Sequence, residues 1–259
     1  MPSHNDLIKE EFARQAPSFE DRRYSFGDPR VLSWILANVP PDASELVLDV
    51  AGGTGQVARA YAEQSHCATV LDLTAEMLAT GKREADAAGV HNVVFQLGVA
   101  DSMPFLPGSF DLVISRFAVH HFDDPAAALA EMARVCRPGG RVAIFDIVAA
   151  EPERAAEYNH RERLRDPSHT RALTAEELRT TMEGAGLEIG HFVERDQPLP
   201  LERWLAQTHP PDQVAAQLRA ELEAELSGGT PTGMRPQRRD GELHFTQRWA
   251  IATGRPRPG

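Results

Sequence analysis

A mixed α/β fold, with a mostly parallel sheet covered by helices on both faces, is predicted by three observations. Apolar runs of strand length alternate with longer helical patterns from residue 46 to residue 147. The first run, over 46–50, passes directly into the turn Ala51-Gly52-Gly53-Thr54-Gly55. A second run, over 68–71, is followed by Asp72, seventeen positions past Gly55. Glycines after a first strand remove the Cβ atoms that would hold a ligand off the backbone, and the helix starting near Gln56 points free N–H groups at whatever binds there. An acid at the end of the next strand has the spacing to grip the two hydroxyls of a ribose.

Taken in order, 5–15 and 29–39 are predicted helical, the second because Val31, Leu32, Ile35, Leu36 and Val39 form a one-sided apolar stripe. Strands follow at 46–50, 68–71, 93–97, 110–115 and 141–147, with helices between them; Thr74 is a natural N-cap for the helix after the second strand. Residues 151–173 are charged and poor in aromatics, so the alternation stops and an inserted cap is expected there. Thr174 opens Thr-Ala-Glu-Glu, a helix-start signature, for a helix to 185. A strand over 187–194, helices over 201–208 and 211–226, a loop over 228–240 and a strand over 243–252 complete the chain. The expected organisation is one domain: an N-terminal helical lid (1–40), a core (46–147), the cap (151–173) and a substrate-side region (174–259).

With 42% hydrophobic and 25% charged residues the chain reads as globular, and 259 residues suffice for one α/β domain. The formal net charge of −11, with arginines interleaved among acids, argues against a nucleic-acid substrate. Residues 1–10 are polar, and no apolar run nears the roughly 18 residues that a membrane span needs. A cytoplasmic location without membrane insertion is therefore expected. Cys67 and Cys136 cannot make a disulfide framework and are read as packing residues.

A glycine turn with a distant acid also suits a nicotinamide cofactor, but such sites read G-x-G-x-x-G with a pyrophosphate at the helix start. Here the order is Asp49-x-Ala51-x-Gly53-x-Gly55. An acid beside the turn repels a pyrophosphate and accepts a hydrogen bond from an ammonium or a water. On these residues the chain resembles the class I S-adenosylmethionine (SAM) methyltransferases, whose first motif is D/E-x-G-x-G-x-G with Ala tolerated at the first glycine. The resemblance continues through Leu71-Asp72-Leu73-Thr74 with Met77-Leu78, like the ribose-binding acid and its helix, and through 98–105, like the adenine loop. Residues 109–116 resemble the fourth strand, with Ala118-Val119-His120-His121-Phe122 after it, and 134–140 the turn before the fifth. The combination is most similar to the branch holding the quinone-biosynthesis C-methyltransferases. It implies a Rossmann-like sheet with an antiparallel C-terminal strand, SAM as cofactor, S-adenosylhomocysteine as product and a small organic acceptor methylated on carbon or oxygen. An enzyme of the same fold catalysing cyclisation or decarboxylation is the alternative; a homodimer is left open.

The cofactor residues that the resemblance implies are Asp49, Ala51, Gly53, Gly55, Asp72, Leu73, Met77, Ala100, Asp101, Ser115, Arg116 and Tyr24. Met77 reads equally as core filler and as a contact under adenine. Asp101, placed beside the adenine amino group by the resemblance, is otherwise a solvated loop acid. Ser115 and Arg116 end a strand where doubly wound sheets place ligand contacts, while Tyr24 and Phe19 belong to a segment expected to close over the cofactor. The candidate general base is His121, then His120, because an imidazole titrates near neutral pH and this loop borders the expected acceptor; the plainer reading is one cap and one packing residue. His169, beside Arg165 and Asp166, is a further acid/base candidate. No metal is expected, since His120, His121, Asp123 and Asp124 crowd one loop without zinc-like spacing. Residues 19–26 and 151–171 are expected to form the acceptor pocket.

Overall fold

The computed structural model describes residues 3–20 and 29–257. Its parallel strands are β1 (Leu46–Val50), β2 (Cys67–Asp72), β3 (Val93–Leu97), β4 (Phe110–Arg116) and β5 (Cys136–Val148). They lie in one eight-stranded sheet with β6 (Leu187–Pro200), β7 (Gln237–Arg239) and β8 (Glu242–Pro256), in the order β3-β2-β1-β4-β5-β8-β6, with β7 on β8. β8 is antiparallel to both β5 and β6. The strand order reverses between β1 and β4, so a crevice opens beyond their C-terminal ends, where the glycine turn and the loop after Arg116 emerge.

Period-two alternation sends neighbouring residues to different layers. Val47 and Leu112 pack with Val31 and Ile35 of α2 (Pro29–Asn38) and with Ala58 and Tyr61 of α3 (Gln56–Ala62). Leu48 and Val113 face Leu129 and Met132 of α5 (Pro125–Val135). The remaining crossover, α4 (Ala75–Ala87), joins β2 to β3. Cap helix α6 (Ala155–Arg165) adds Tyr158 to the first layer, beside Trp204 of α8 (Leu201–Thr208) and Leu218 and Leu222 of α9 (Asp212–Leu226). Cys136 is buried and Cys67 partly so; burial pushes the Cys136 thiol up to about 12.

Several boundaries differ from expectation. β6 runs six residues beyond 194 because β8 pairs with it as far as Pro200–His244. β5 starts at Cys136, paired with Phe110, ahead of a register shift at Leu112. Residues 237–239, expected in a loop, form β7 against 242–244. Asp240 and Gly241, with φ of 51° and 83°, make the tight reversal that joins them, a turn whose twist matches that of paired strands. Thr174 makes its capping box with Glu177, and α7 (Ala175–Gly184) follows. Thr74 begins α4 without a side-chain cap, its hydroxyl buried and unpartnered. Among the described residues no helix is long and apolar enough to cross a membrane.

Candidate functional site

The turn after β1 is shaped by close approaches. Gly55 begins α3 with φ of 75°, and a Cβ there would stand 2.6 Å from Val70 Cγ2. A Cβ on Gly52 would stand 2.6 Å from the Asp49 carboxyl carbon, so the turn lies directly on that acid. Asp49 is fully buried; its Oδ2 accepts the Ala58 N–H at 3.0 Å and its Oδ1 has no partner. Burial pushes the Asp49 carboxyl up to about 7, against the pull of the Arg116 guanidinium. Burial likewise lowers Arg116 to about 10, opposed by Asp49; its Nη2 donates to Gln56 Oε1 at 3.1 Å.

Asp72, at the end of β2, accepts from the Gly53 N–H and the Thr74 N–H, both at 2.8 Å. Burial raises its carboxyl, and these backbone donors work the other way. The acid therefore fixes the turn and the start of α4 before any ligand arrives. Each carboxylate oxygen keeps a second lone pair for a hydroxyl.

A cavity of about 210 Å³ opens here. Ala51, Gly52, Gly53, Asp72, Leu73, Thr74 and the loop 98–101 line it, together with Arg116, Phe117 and Ala118. The rest of the lining comes from Phe19, from His121 to Asp124, and from α1 (His4–Gln15), which supplies His4, Asn5, Ile8 and Phe12 with its N-cap Ser3. A helical lid over 1–40 was expected from the sequence, but none of the α1 residues was named for it, because its apolar residues are few and its face is completed by Phe19 and Met77. His4 Nε2 donates to the His121 carbonyl at 2.7 Å, fastening α1 across the site.

Three histidines gather beside the cavity, with ring centroids 4.2 Å (His120–His121) and 5.4 Å (His120–His169) apart. His121 lines the cavity, its Nδ1 lies 3.0 Å from the Ser168 carbonyl and its ring meets Phe12 edge-on at 5.1 Å. Burial, followed by the neighbouring His120, lowers His121 to about 4. For His120 burial opposes the cation, but Asp146, at 2.5 Å from Nδ1, outweighs it and the pKa is raised. Asp146, an acid on β5 with nothing in its local sequence to mark it, is the partner that sequence reading missed. His169 is held to Asn159 Oδ1 at 2.7 Å, and burial keeps its pKa well below the usual range.

Of the residues proposed from sequence, Ala51, Gly53, Asp72, Leu73, Ala100, Asp101, Arg116 and His121 thus share one cavity. Asp49 and Gly55 lie behind its wall, and Met77 is fully buried against Phe19 and Ala16. Ser115 turns away, its hydroxyl donating to the Val50 carbonyl at 2.9 Å. His120 and His169 are outside the lining, and Asp124, not a histidine, caps α5. The cap lends support to His121 through Ser168 without lining the cavity, unlike the pocket expected from 151–171. Tyr24 lies outside the described residues.

The site fits SAM on its own geometry: a buried carboxylate behind the turn with an unpartnered oxygen for a cationic amino group or its water, a turn that Gly52 and Gly55 let lie tight against Asp49 and Val70, and an acid at the next strand end. Residues 48–144 match the methyltransferase domain family. The uncharacterised methyltransferase YcgJ of Bacillus subtilis is 32% identical over 75% of this chain and 77% of its own. Its crystal structure superposes with a TM-score of 0.80 at 28% identity, covering 89% of this chain and all of that one. The ubiquinone/menaquinone biosynthesis C-methyltransferase UbiE of Roseobacter denitrificans is 38% identical over 45% of this chain and 46% of its own length. With its strand order, its glycine turn and these relatives, the chain belongs to the class I SAM-dependent methyltransferases.

Proposed function

We propose that the protein methylates a small organic acceptor on carbon or oxygen, with His121 as the general base. The observation that carries this reading is His121 lining the same cavity as Asp72 and the glycine turn, beneath α1, in a space of about 210 Å³ that suits a small acceptor. Ile8, Phe12, Phe19, Phe117 and Phe122 offer that acceptor an apolar and aromatic surface, which suits a phenol, enol or similar carbon acid. The formal net charge of −11 weighs against a nucleic-acid acceptor.

SAM, when bound, supplies an already activated methyl group. The protein's part is to hold donor and acceptor in line, exclude water and remove a proton; alignment contributes roughly 7 to 11 kcal/mol of barrier reduction. Asp72, with Leu73 and the loop 98–101, would hold the cofactor, over a turn braced from behind by Asp49; α1 and Phe19 cover the cavity; His121 accepts the proton. With its pKa lowered to about 4, His121 is neutral across the physiological range and open to a proton, as a weaker base than an imidazole that titrates near 7.

Methyl-labelled SAM incubated with a deproteinised metabolite extract tests the reading. Label should pass to a small molecule, and His121→Gln should lower that transfer by about 10²- to 10⁴-fold with unchanged S-adenosylhomocysteine affinity. The wild-type rate should stay level from about pH 6 to 8 as far as His121 is concerned, its limb lying near pH 4. A His121→Gln variant that transfers label at the wild-type rate removes His121 as base. Consumption of an acceptor without label transfer would instead favour a non-methylating reaction.

A further inference from the structure

We propose that Asp166 and Ser168 are positioning residues, which lock His121 into the tautomer that carries its proton on Nδ1 and leaves Nε2 free to accept one. The functional meaning rests on the reading of His121 as base; the tautomer itself can be measured without it.

The Ser168 carbonyl can only accept, and at 3.0 Å from His121 Nδ1 it requires a proton there. The Ser168 hydroxyl is also near, 3.2 Å from the same nitrogen, and would donate into it if free to turn. It is not free, because its proton goes to Asp166 Oδ1 at 2.6 Å. The same oxygen accepts the Ser168 N–H at 2.9 Å, so one carboxylate atom fixes both the side chain and the peptide of Ser168. The loop is then fastened to the histidine loop by the Thr170 and Arg171 N–H groups, which donate to the His120 carbonyl at 2.9 and 3.1 Å. Nε2, on the ring edge away from Ser168, belongs to a side chain that lines the cavity. An imidazole without such a fixed acceptor distributes its proton between both nitrogens, and the hydrogen bond on one nitrogen decides the state of the other. Ser168 and Asp166 are buried and do not line the cavity, so their effect on an acceptor passes through His121.

Two-bond ¹H–¹⁵N spectra of the uniformly labelled full chain, with S-adenosylhomocysteine bound, read the tautomer directly. The His121 signals are assigned by their loss in His121→Gln. Wild type should show His121 protonated on Nδ1 alone. Asp166→Ala should spread the proton over both nitrogens while S-adenosylhomocysteine affinity stays within threefold, and Asp166→Asn, which keeps an acceptor oxygen, should restore the wild-type pattern. If Asp166→Ala fails to fold, Asp166→Val, which keeps bulk but offers no acceptor, should show the same redistribution, whereas Ser168→Ala, which removes the competing hydroxyl and keeps the carbonyl, should hold the proton on Nδ1. A wild-type His121 protonated on Nε2 overturns the proposal, as does an unchanged Nδ1 pattern in the Asp166 variants. Failure of the base reading leaves a different mark: full methyl transfer in His121→Gln, whatever the spectra show.

Discussion

Asp49 and Asp72 are both buried acids on neighbouring strands but are satisfied to different degrees. Asp72 has two backbone donors, whereas Asp49 has one and an unpartnered oxygen. Asp72→Ala should weaken SAM and S-adenosylhomocysteine alike by roughly 2 to 4 kcal/mol, the worth of two charge-assisted bonds with imperfect additivity. Calorimetry on the folded variant checks this; unchanged affinity would take Asp72 out of the site. For Asp49 the sign runs the other way in the free protein. Its folded pKa is raised to about 7, so the unfolded chain releases its proton first and stability falls as pH rises from about 4 to 7. Asp49→Asn should therefore gain on wild type in melting temperature between about pH 5 and pH 8, while binding SAM more weakly at pH 8. A difference in melting temperature independent of pH would contradict the buried-carboxylate account.

Among the elements, α1 is the one that lines the cavity and is tied across it by His4. Hydrogen exchange in residues 4–15 should slow when S-adenosylhomocysteine binds, whereas α6, which stands behind the histidines, should change little. Equal slowing in both helices would restore the cap to the cavity. Elements announced by short-range chemistry were legible in the sequence: the five parallel strands by their apolar runs, α7 by Thr174 and Glu177, the turn by its glycines. What escaped was decided at a distance. The last six residues of β6 exist because β8 extends beside them, and the wall from α1 forms because Phe12 finds Phe19 and Met77. β7 was legible in part: Asp240-Gly241 is a strong reversal signal, but its flanking arginines lack the apolar alternation of a strand. At the site, the glycine turn, Asp72 and His121 could be named in advance, while Asp146 could not, because its role depends on which loop folds over β5.

Across the whole molecule, the sheet brings together segments remote in sequence, and a strand inside one edge is completed last. β8 lies between β5 and β6, and among the described residues β6 has no other partner strand. A polypeptide made from its N-terminus thus presents β6 before the strand that must separate it from β5 exists. Until 242–256 have emerged from the ribosome, two strand edges remain open, an arrangement that invites wrong pairing. Synthesis order and assembly order are therefore at odds in the C-terminal half. Pulling force on a stalled nascent chain should accordingly appear late, in a main step once residue 256 clears the exit tunnel. A main step at chain lengths where β6 has emerged but β8 has not would show that the first five strands close without it. Premature termination after Gly241 should yield an aggregating product rather than a weakened enzyme.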